Sequence, residues 1–331
     1  MNSNTKNLVE QIVEDTNQLK KKMFWEADPK ALATIAAFLF ASAGKKADID
    51  KYVECKNYLK KKVNVFSEIR GIVKVIVITK MCLADDYEEY LSGVVEVYKK
   101  LRNLHKLTAS PYMVMAAINI YEGGGIENAD ANIEKLEAVY KEMKAEHFSL
   151  TNDANRPFIA MIVSRDINTS AIASEISDCY EACKDMSFSK EAMHNASEIL
   201  SLSGKSVTEK VADMNETIIA LKNHKIKGKK SELMPMAAAL SFVDASAEDK
   251  AKDIKEIYDY LKKQKGFKWL TEGTQRTLYS ILAYALGNIN GESAALNTVI
   301  NTTLTNIIIE EIILMTILII SAITASSSSA H

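Results

Sequence analysis

Apolar residues recur at intervals of three and four along almost the whole chain, which is the spacing of one face of an α-helix. Two kinds of segment alternate. The first is rich in Ala and aliphatic residues over most of its surface, as around Ala36, Ala117 and Ala238, and this predicts a buried helix. The second carries charges along one side and predicts an amphipathic helix that packs on the first. The pattern therefore predicts an all-α fold made of helical hairpins.

These hairpins recur at a regular interval. Each amphipathic helix has a large residue three positions before an apolar one, and successive first members lie 42, 40, 38 and 40 residues apart. The pairs are Tyr98 with Leu101, Tyr140 with Met143, Tyr180 with Cys183, Ile218 with Leu221, and Tyr258 with Leu261. We call the first member of each pair a landmark residue. Because a single hairpin cannot bury both of its apolar faces, we predict about seven stacked units of about 40 residues, an α-solenoid or superhelix. The period is close to that of HEAT and armadillo repeats, and the tetratricopeptide consensus is missing.

Proline and glycine positions agree with this division. Each of the four prolines precedes an Ala-rich segment, so we expect it in the first turn of a buried helix, where its missing N–H has no partner to lose. They are Pro29, Pro111, Pro157 and Pro235. Eleven of the 12 glycines fall at predicted junctions, and Gly93 is the exception. We predict a capping helix at residues 1–28, a repeat domain at 29–291, and an apolar C-terminal helix with a Ser-rich end at 292–331.

Charge and cysteine content narrow the classes of function. Lys and Arg number 41 against 43 Asp and Glu, so no global field favours nucleic acid as a partner. Acids cluster where amphipathic helices begin and bases where they end. This complements the helix macrodipole, although a basic rim for a polyanion is the alternative. No secretory signal is recognisable, and the four scattered cysteines fit a reduced, cytoplasmic protein.

Several short segments at first sight suggest chemistry. Gly204-Lys205-Ser206 resembles the end of a phosphate-binding loop, but the earlier glycine and the strand are missing, so we interpret it as a turn. Cys179 and Cys183 share a helix face and are either buried thiols or a metal or redox pair. The remaining candidates are His105, His147 and His224, read as loop histidines, and Glu191 with His194, which share a helix face. We predict no catalytic, cofactor-binding or metal-ligating residue.

The helices with recurring landmarks also point to a family. The segments that carry the resemblance are Lys22-Met23-Phe24-Trp25, Val97-Tyr98-Lys99-Lys100-Leu101, Val139-Tyr140-Lys141-Glu142-Met143 and Gln264-Lys265-Gly266-Phe267-Lys268-Trp269. With them the chain resembles an uncharacterised bacterial family catalogued as domain of unknown function 4003, over nearly its whole length. These residues are packing signatures, and the resemblance implies no catalytic residues. Members end in an Ala-rich apolar tail around a Gln pair, whereas this tail is Ile-rich around Glu310 and Glu311.

The C-terminal apolar segment is the feature that hairpin packing does not explain. Its candidate association or membrane residues are Ile307, Ile308, Ile312, Ile313, Leu314, Ile317, Leu318 and Ile320. A helix that is apolar all round is buried in protein or in lipid. We expect it to drive self-association or to dock on the solenoid. Membrane attachment and an aggregation-prone end are the alternatives, and the uninterrupted apolar run is short for a spanning helix.

The leading hypothesis is thus a non-enzymatic, cytoplasmic helical-repeat scaffold. It would bind a protein partner, or a second copy of itself through the C-terminal helix, without cofactor or nucleic acid. The alternative is a membrane-associated protein, tethered by residues 307–324. A third hypothesis is an enzyme or small-ligand binder with a site inside the superhelix.

Overall fold

A computed structural model describes most of the chain. The described residues are 1–23, 29–65, 67–71, 73–104, 110–146, 151–165, 172–186, 189–265, 267 and 273–289. Within them the chain forms fourteen α-helices and two short 3-10 helices, and it forms no strand. The prediction of an all-α fold is confirmed.

Amphipathic and buried helices alternate strictly. The odd-numbered, amphipathic helices are α1 (Ser3–Lys22), α3 (Ile49–Lys62), α5 (Tyr87–Leu104), α7 (Ala129–Glu146), α9 (Ile172–Cys183), α11 (Val207–Asn223) and α13 (Ala247–Lys263). The even-numbered, largely buried helices are α2 (Pro29–Ser42), α4 (Lys74–Leu83), α6 (Pro111–Gly124), α8 (Arg156–Val163), α10 (Lys190–Ser201), α12 (Lys230–Leu240) and α14 (Gly273–Ile289). The 3-10 helices are Glu68–Arg70 and Asp153–Asn155. The difference in burial is large: α8 buries all eight of its residues, whereas α13 buries six of 17.

Three of the four prolines stand where the sequence places them. Pro29 and Pro111 are the first residues of α2 and α6, and Pro157 is the second residue of α8. The prediction for Pro235 is wrong, because it lies inside α12, which already begins at Lys230. Proline has no N–H, so the main-chain hydrogen bond to the carbonyl of Ser231 cannot form. The Ala-rich core of α12 stabilises the helix in spite of this loss.

Gly93, the glycine outside the predicted junctions, permits a close helix contact. It lies in the middle of α5, and a Cβ atom at this position would overlap the ring of Tyr121 on α6. That ring also packs edge-on against Tyr90, with centroids 5.4 Å apart. The glycine is therefore needed for space rather than for a turn.

The helices form two compact units. The first unit combines Met1–Ser42 with the helices that follow Glu175, and the second is Ala43–Ser174. In the first unit, α1 packs on α2 and also contacts α13 and α14. The side chain of Asn2 lies 3.2 Å from that of Asn288, so the first turn of α1 meets the last turn of α14. The sequence pattern did not foresee this contact between the first and the last helices.

The second unit is built on neighbouring hairpins. The buried helix α6 packs against α5 and α8, and the amphipathic helix α5 contacts both α3 and α7. An exposed ladder ties α3 to α5: the hydroxyl of Tyr58 donates to Glu88, and that of Tyr87 donates to Glu54, both at 2.8 Å. The two tyrosine rings meet edge to face at 5.3 Å. These contacts hold the register between the two amphipathic helices.

Among the described residues, we find no helix with both the length and the apolar character needed to cross a membrane.

Candidate functional site

The residues that the sequence assigned to association or membrane binding lie outside the described part of the chain. They are Ile307, Ile308, Ile312, Ile313, Leu314, Ile317, Leu318 and Ile320. His105 and His147 also lie outside it. Their roles stay predictions.

Cys179 and Cys183 are both fully buried on the inner face of α9. Burial raises the pKa of Cys179 to about 11, although the nearby Lys210 opposes the rise. The sulfur of Cys183 lies 3.7 Å from the hydroxyl of Ser197. Metals bind the thiolate, whereas burial favours the neutral thiol. In the ranges that the structure describes, no three His, Cys, Asp or Glu side chains are grouped to hold a metal ion.

Gly204-Lys205-Ser206 begins a helix and does not form a phosphate loop. Ser206 caps α11, and its backbone N–H donates in return to the Glu209 carboxylate at 3.0 Å, which completes a capping box. Lys205 pairs with Asp213 at 2.6 Å. The segment lies between α10 and α11, so the interpretation as a turn is confirmed.

The histidines of the described chain have structural partners. His224 ends α11, and its Nε2 lies 2.6 Å from the carboxylate of Glu248. His194 is buried on α10 beside Tyr180, with ring centroids 6.3 Å apart. Glu191, one turn earlier, is exposed, so these two residues do not share one environment.

Two of the four landmark tyrosines meet a basic side chain from the next buried helix. The guanidinium of Arg156, at the start of α8, lies 4.1 Å from the ring centroid of Tyr140. In the same way, Arg276 of α14 lies 5.1 Å from the ring centroid of Tyr258 and donates to its hydroxyl at 3.2 Å. A cation on an aromatic face is stabilising, and more so when both are shielded from water. The pair therefore fixes the packing between an amphipathic helix and the buried helix that follows.

Tyr98 departs from this arrangement. The following buried helix, α6, contains no basic residue that could reach its ring. The Tyr98 side chain is 5% exposed, and its hydroxyl is buried without a hydrogen-bond partner. Burial raises the pKa of this hydroxyl, and the neighbouring Arg102 guanidinium opposes the rise. A buried hydroxyl without a partner is unusual in a folded protein.

A cleft opens beside Tyr98. Its volume is about 490 Å³, and it lies between the connection that follows α3 and one face of α5. One side is lined by Lys62–Asn64, Ser67 and Ile69. The other is lined by five residues of α5: Val95, Tyr98, Lys99, Arg102 and Asn103. We name it the α3–α5 cleft. Its size falls in the range of small-molecule sites.

The connection that forms one wall is held by local hydrogen bonds. Helix α3 ends at Lys62, and Val63 is extended. Arg70 then reaches back and donates to the carbonyls of Lys60 and Val63, at 3.3 and 3.1 Å. Ser67 caps the 3-10 helix Glu68–Arg70. These bonds fix the wall relative to the end of α3.

The charge of the cleft is mainly positive. Lys62, Lys99 and Arg102 all line it, and within the described residues none of them forms an ion pair with a carboxylate. Lys62 lies over the ring of Tyr58 at 5.3 Å. The carboxylate of Glu68 raises the pKa of Tyr98 and so opposes the effect of Arg102. Such a site is suited to bind an anion.

The sequence showed these basic residues only as ends of separate helices. They converge because α3 and α5 lie side by side, and no periodic pattern reports that contact. The sequence nevertheless contained one indication of the site. The buried helices that follow Tyr140 and Tyr258 each contain an arginine, whereas α6, which follows Tyr98, contains no basic residue.

Over the described ranges, the fold is all-helical with alternating buried and amphipathic helices, and the second unit holds a basic cleft. The chain belongs to the family described as "Protein of unknown function (DUF4003)", whose model matches residues 16–313. It is also 22% identical over 259 residues to "Uncharacterized protein YeaA" of Bacillus subtilis (strain 168), a match that covers 77% of each chain. No solved structure matches the chain. The predicted resemblance to this family is confirmed.

Proposed function

We propose that this protein is a non-enzymatic helical-repeat scaffold that binds a protein partner or a second copy of itself. The observation that carries the proposal is the strict alternation of seven buried and seven amphipathic helices among the residues that the structure describes. The buried helices use their apolar side chains for internal packing. The amphipathic helices keep a charged face outside, and successive hairpins of this kind present extended binding surfaces in repeat proteins.

The spacing of the landmarks supports a repeat array of about seven units. The landmark tyrosines Tyr98, Tyr140, Tyr180 and Tyr258 support it, because all four are buried on amphipathic helices. Two of them use the same ring contact with an arginine. The ladder between α3 and α5 shows how two neighbouring outer helices are kept in register, which a rigid binding surface requires.

The C-terminal segment supplies the interaction in this proposal. Its Ile and Leu side chains would each be stabilised by about 1.5 to 3 kcal/mol on burial, so they favour contact with a second apolar surface over contact with water. The first unit already covers α14 with α1 and α13. Tethering to a membrane by the same segment is the second candidate function, favoured by the lack of Lys and Arg after Arg276.

The two functions separate in one set of measurements. The full chain, a chain ending at Gly291, and the full chain with Ile313→Asp and Ile317→Asp are compared by light scattering and by flotation with lipid vesicles. The scaffold proposal expects an oligomer that does not float, and both altered chains should become monomers. Helix content should be unchanged in the aspartate variant and lower in the shortened chain only by the deleted segment. Thr303→Asp is the control, because it adds a charge outside the apolar run.

Flotation of the full chain alone would support the membrane candidate instead. Monomers of equal compactness for all the chains would contradict both functions, because the segment would then fold back on its own chain.

A further inference from the structure

The α3–α5 cleft gathers three basic side chains that form no ion pair with a carboxylate of the described residues. Lys99 and Arg102 lie one turn apart on the exposed face of α5, and Lys62 reaches the same cleft from the end of α3. Elsewhere the chain pairs comparable side chains: Lys100, next in sequence, binds Asp130 at 2.8 Å, and Lys80 binds Glu122 at 2.8 Å. The three basic side chains of the cleft have no such carboxylate partner among the described residues, so they can pair with an external anion.

The Tyr98 hydroxyl is an independent sign of a ligand. The hydroxyl is buried without a hydrogen-bond partner on a residue that lines the cleft, whereas the hydroxyl of Tyr258, at the corresponding place of the predicted repeat, accepts from Arg276. A buried donor that is left unsatisfied is unfavourable, so such groups often bind a ligand or a water molecule.

We propose that the α3–α5 cleft binds a small phosphate ester. The phosphate is held by Lys62, Lys99 and Arg102, and it accepts a hydrogen bond from the Tyr98 hydroxyl. Arginine binds two phosphate oxygens at once, and lysine adds a mobile positive charge. The apolar side chains of Val63, Ile69 and Val95 contact the organic part of the ester.

The volume and lining of the cleft select an ester over the free ion. A space of about 490 Å³ is far larger than one phosphate group and is lined by apolar as well as polar atoms. A bare phosphate would leave this apolar surface in water. A ligand with an aromatic or aliphatic part covers it and gains from the hydrophobic effect.

The test uses calorimetric titration of the full chain with phenyl phosphate, inorganic phosphate and phenol. We expect saturable binding of phenyl phosphate, binding of inorganic phosphate at least 10-fold weaker, and none of phenol. Lys99→Gln with Arg102→Gln should weaken phenyl phosphate binding at least 10-fold. Tyr98→Phe should weaken it about 3- to 10-fold with little loss of thermal stability, because the hydroxyl has no hydrogen-bond partner to lose in the free protein.

The matched control is Lys141→Gln with Lys144→Gln. These residues follow Tyr140 as Lys99 and Arg102 follow Tyr98, but they do not line the cleft. Binding should be unchanged in this variant. The proposal is overturned if phenyl phosphate does not bind saturably, if the Lys99 and Arg102 variant binds it normally, or if the control loses as much affinity.

Discussion

The rings of Phe38 and Tyr279 stack with their centroids 5.7 Å apart and their planes at 24°. Both side chains are buried, at 2% and 0% exposure. Phe38 lies on α2 and Tyr279 on α14, so helices from the two ends of the described chain share the core of the first unit. This core therefore depends on contacts between residues that are remote in sequence.

Replacing Phe38 by Ala should lower the free energy of unfolding by about 3 to 5 kcal/mol, because it removes a large buried ring and leaves a cavity. A double-mutant cycle with Tyr279→Leu should give a coupling of about 0.5 to 1.5 kcal/mol. Urea denaturation followed by circular dichroism measures both values. Ile219→Ala, at a position that is 49% exposed, is the control and should change stability by under about 0.5 kcal/mol. An unchanged midpoint for the Phe38 variant would contradict this packing.

The landmark tyrosines give the second prediction. Tyr98→Ala, Tyr140→Ala and Tyr258→Ala should each cost about 3 to 5 kcal/mol, as for other large buried aromatic residues. We expect the stability loss at Tyr140 and Tyr258 to exceed that at Tyr98, because these two changes also remove the aromatic ring that contacts a buried arginine. Chemical denaturation of the three single variants decides. Three unchanged midpoints would refute the repeat frame.

Local periodicity was sufficient for much of this fold. The alternation of apolar and amphipathic segments predicted the helices, and the recurring spacing identified Tyr98, Tyr140, Tyr180 and Tyr258, which are all buried. Such features are encoded by residues within a few turns of one another. The Ser206 turn is of the same kind, because one capping box determines it.

Contacts between segments that are far apart in the sequence could not be predicted from local spacing. Nothing in the spacing of apolar residues says that α1 will pack on α13 and α14, since an amphipathic face does not specify its partner. The α3–α5 cleft arises from a similar juxtaposition. Pro235 was misplaced for another reason: the first turn of a helix is its preferred site, but a stable buried helix tolerates it further inside.

The ion pair between the fully buried Lys210 of α11 and the partly exposed Glu175 of α9 gives a third prediction. The Lys210 side chain is completely buried, its ammonium contacts the Glu175 carboxylate, and it also lies 3.4 Å from the carbonyl of Ser203. Glu175→Ala should cost about 3 to 5 kcal/mol, because it leaves an unpaired charge inside the protein. Lys210→Met should lower the free energy of unfolding much less. Combined with Glu175→Ala, it should restore most of the stability that Glu175→Ala alone loses.

The exposed pair Lys205 and Asp213 is the control for this cycle. The side chains of Lys205 and Asp213 are 49% and 36% exposed. Because water screens such a pair, Asp213→Ala should lower the free energy of unfolding by only about 0.2 to 1 kcal/mol in urea denaturation. Equal losses for Glu175→Ala and Asp213→Ala would contradict the burial of Lys210.

Gly93 and Gly204 form a matched pair for a fourth prediction. An added Cβ at Gly93 would overlap the Tyr121 ring, whereas one at Gly204 would meet nothing within 4 Å. Gly93→Ala should therefore cost about 1 to 3 kcal/mol through overpacking. Gly204→Ala should leave stability unchanged or raise it by about 0.4 to 1 kcal/mol, because it restricts the unfolded chain. Thermal unfolding of the two variants measures both, and a stable Gly93 variant would show that α5 and α6 can separate at this point.

The last prediction concerns alkaline pH. Burial raises the pKa of the Cys179 thiol from its ordinary value of 9.0 to about 11. Between these two values the unfolded chain loses the proton while the folded protein keeps it. The free energy of unfolding should therefore be fully maintained below pH 9 and fall as the pH rises towards 11, by about 1 kcal/mol between pH 9 and pH 10 for this one group.

Cys179→Ala removes the titrating thiol. The free energy of unfolding of this variant should therefore decline less steeply over the same pH interval, whatever stability the variant loses at neutral pH. Guanidinium denaturation at pH 8, 9 and 10 gives both slopes. Because only the difference between the slopes belongs to Cys179, other groups that titrate in this range cancel in the comparison. Parallel slopes for the two proteins would mean that the thiol ionises as readily in the folded protein as in the unfolded chain, which its complete burial on α9 does not allow.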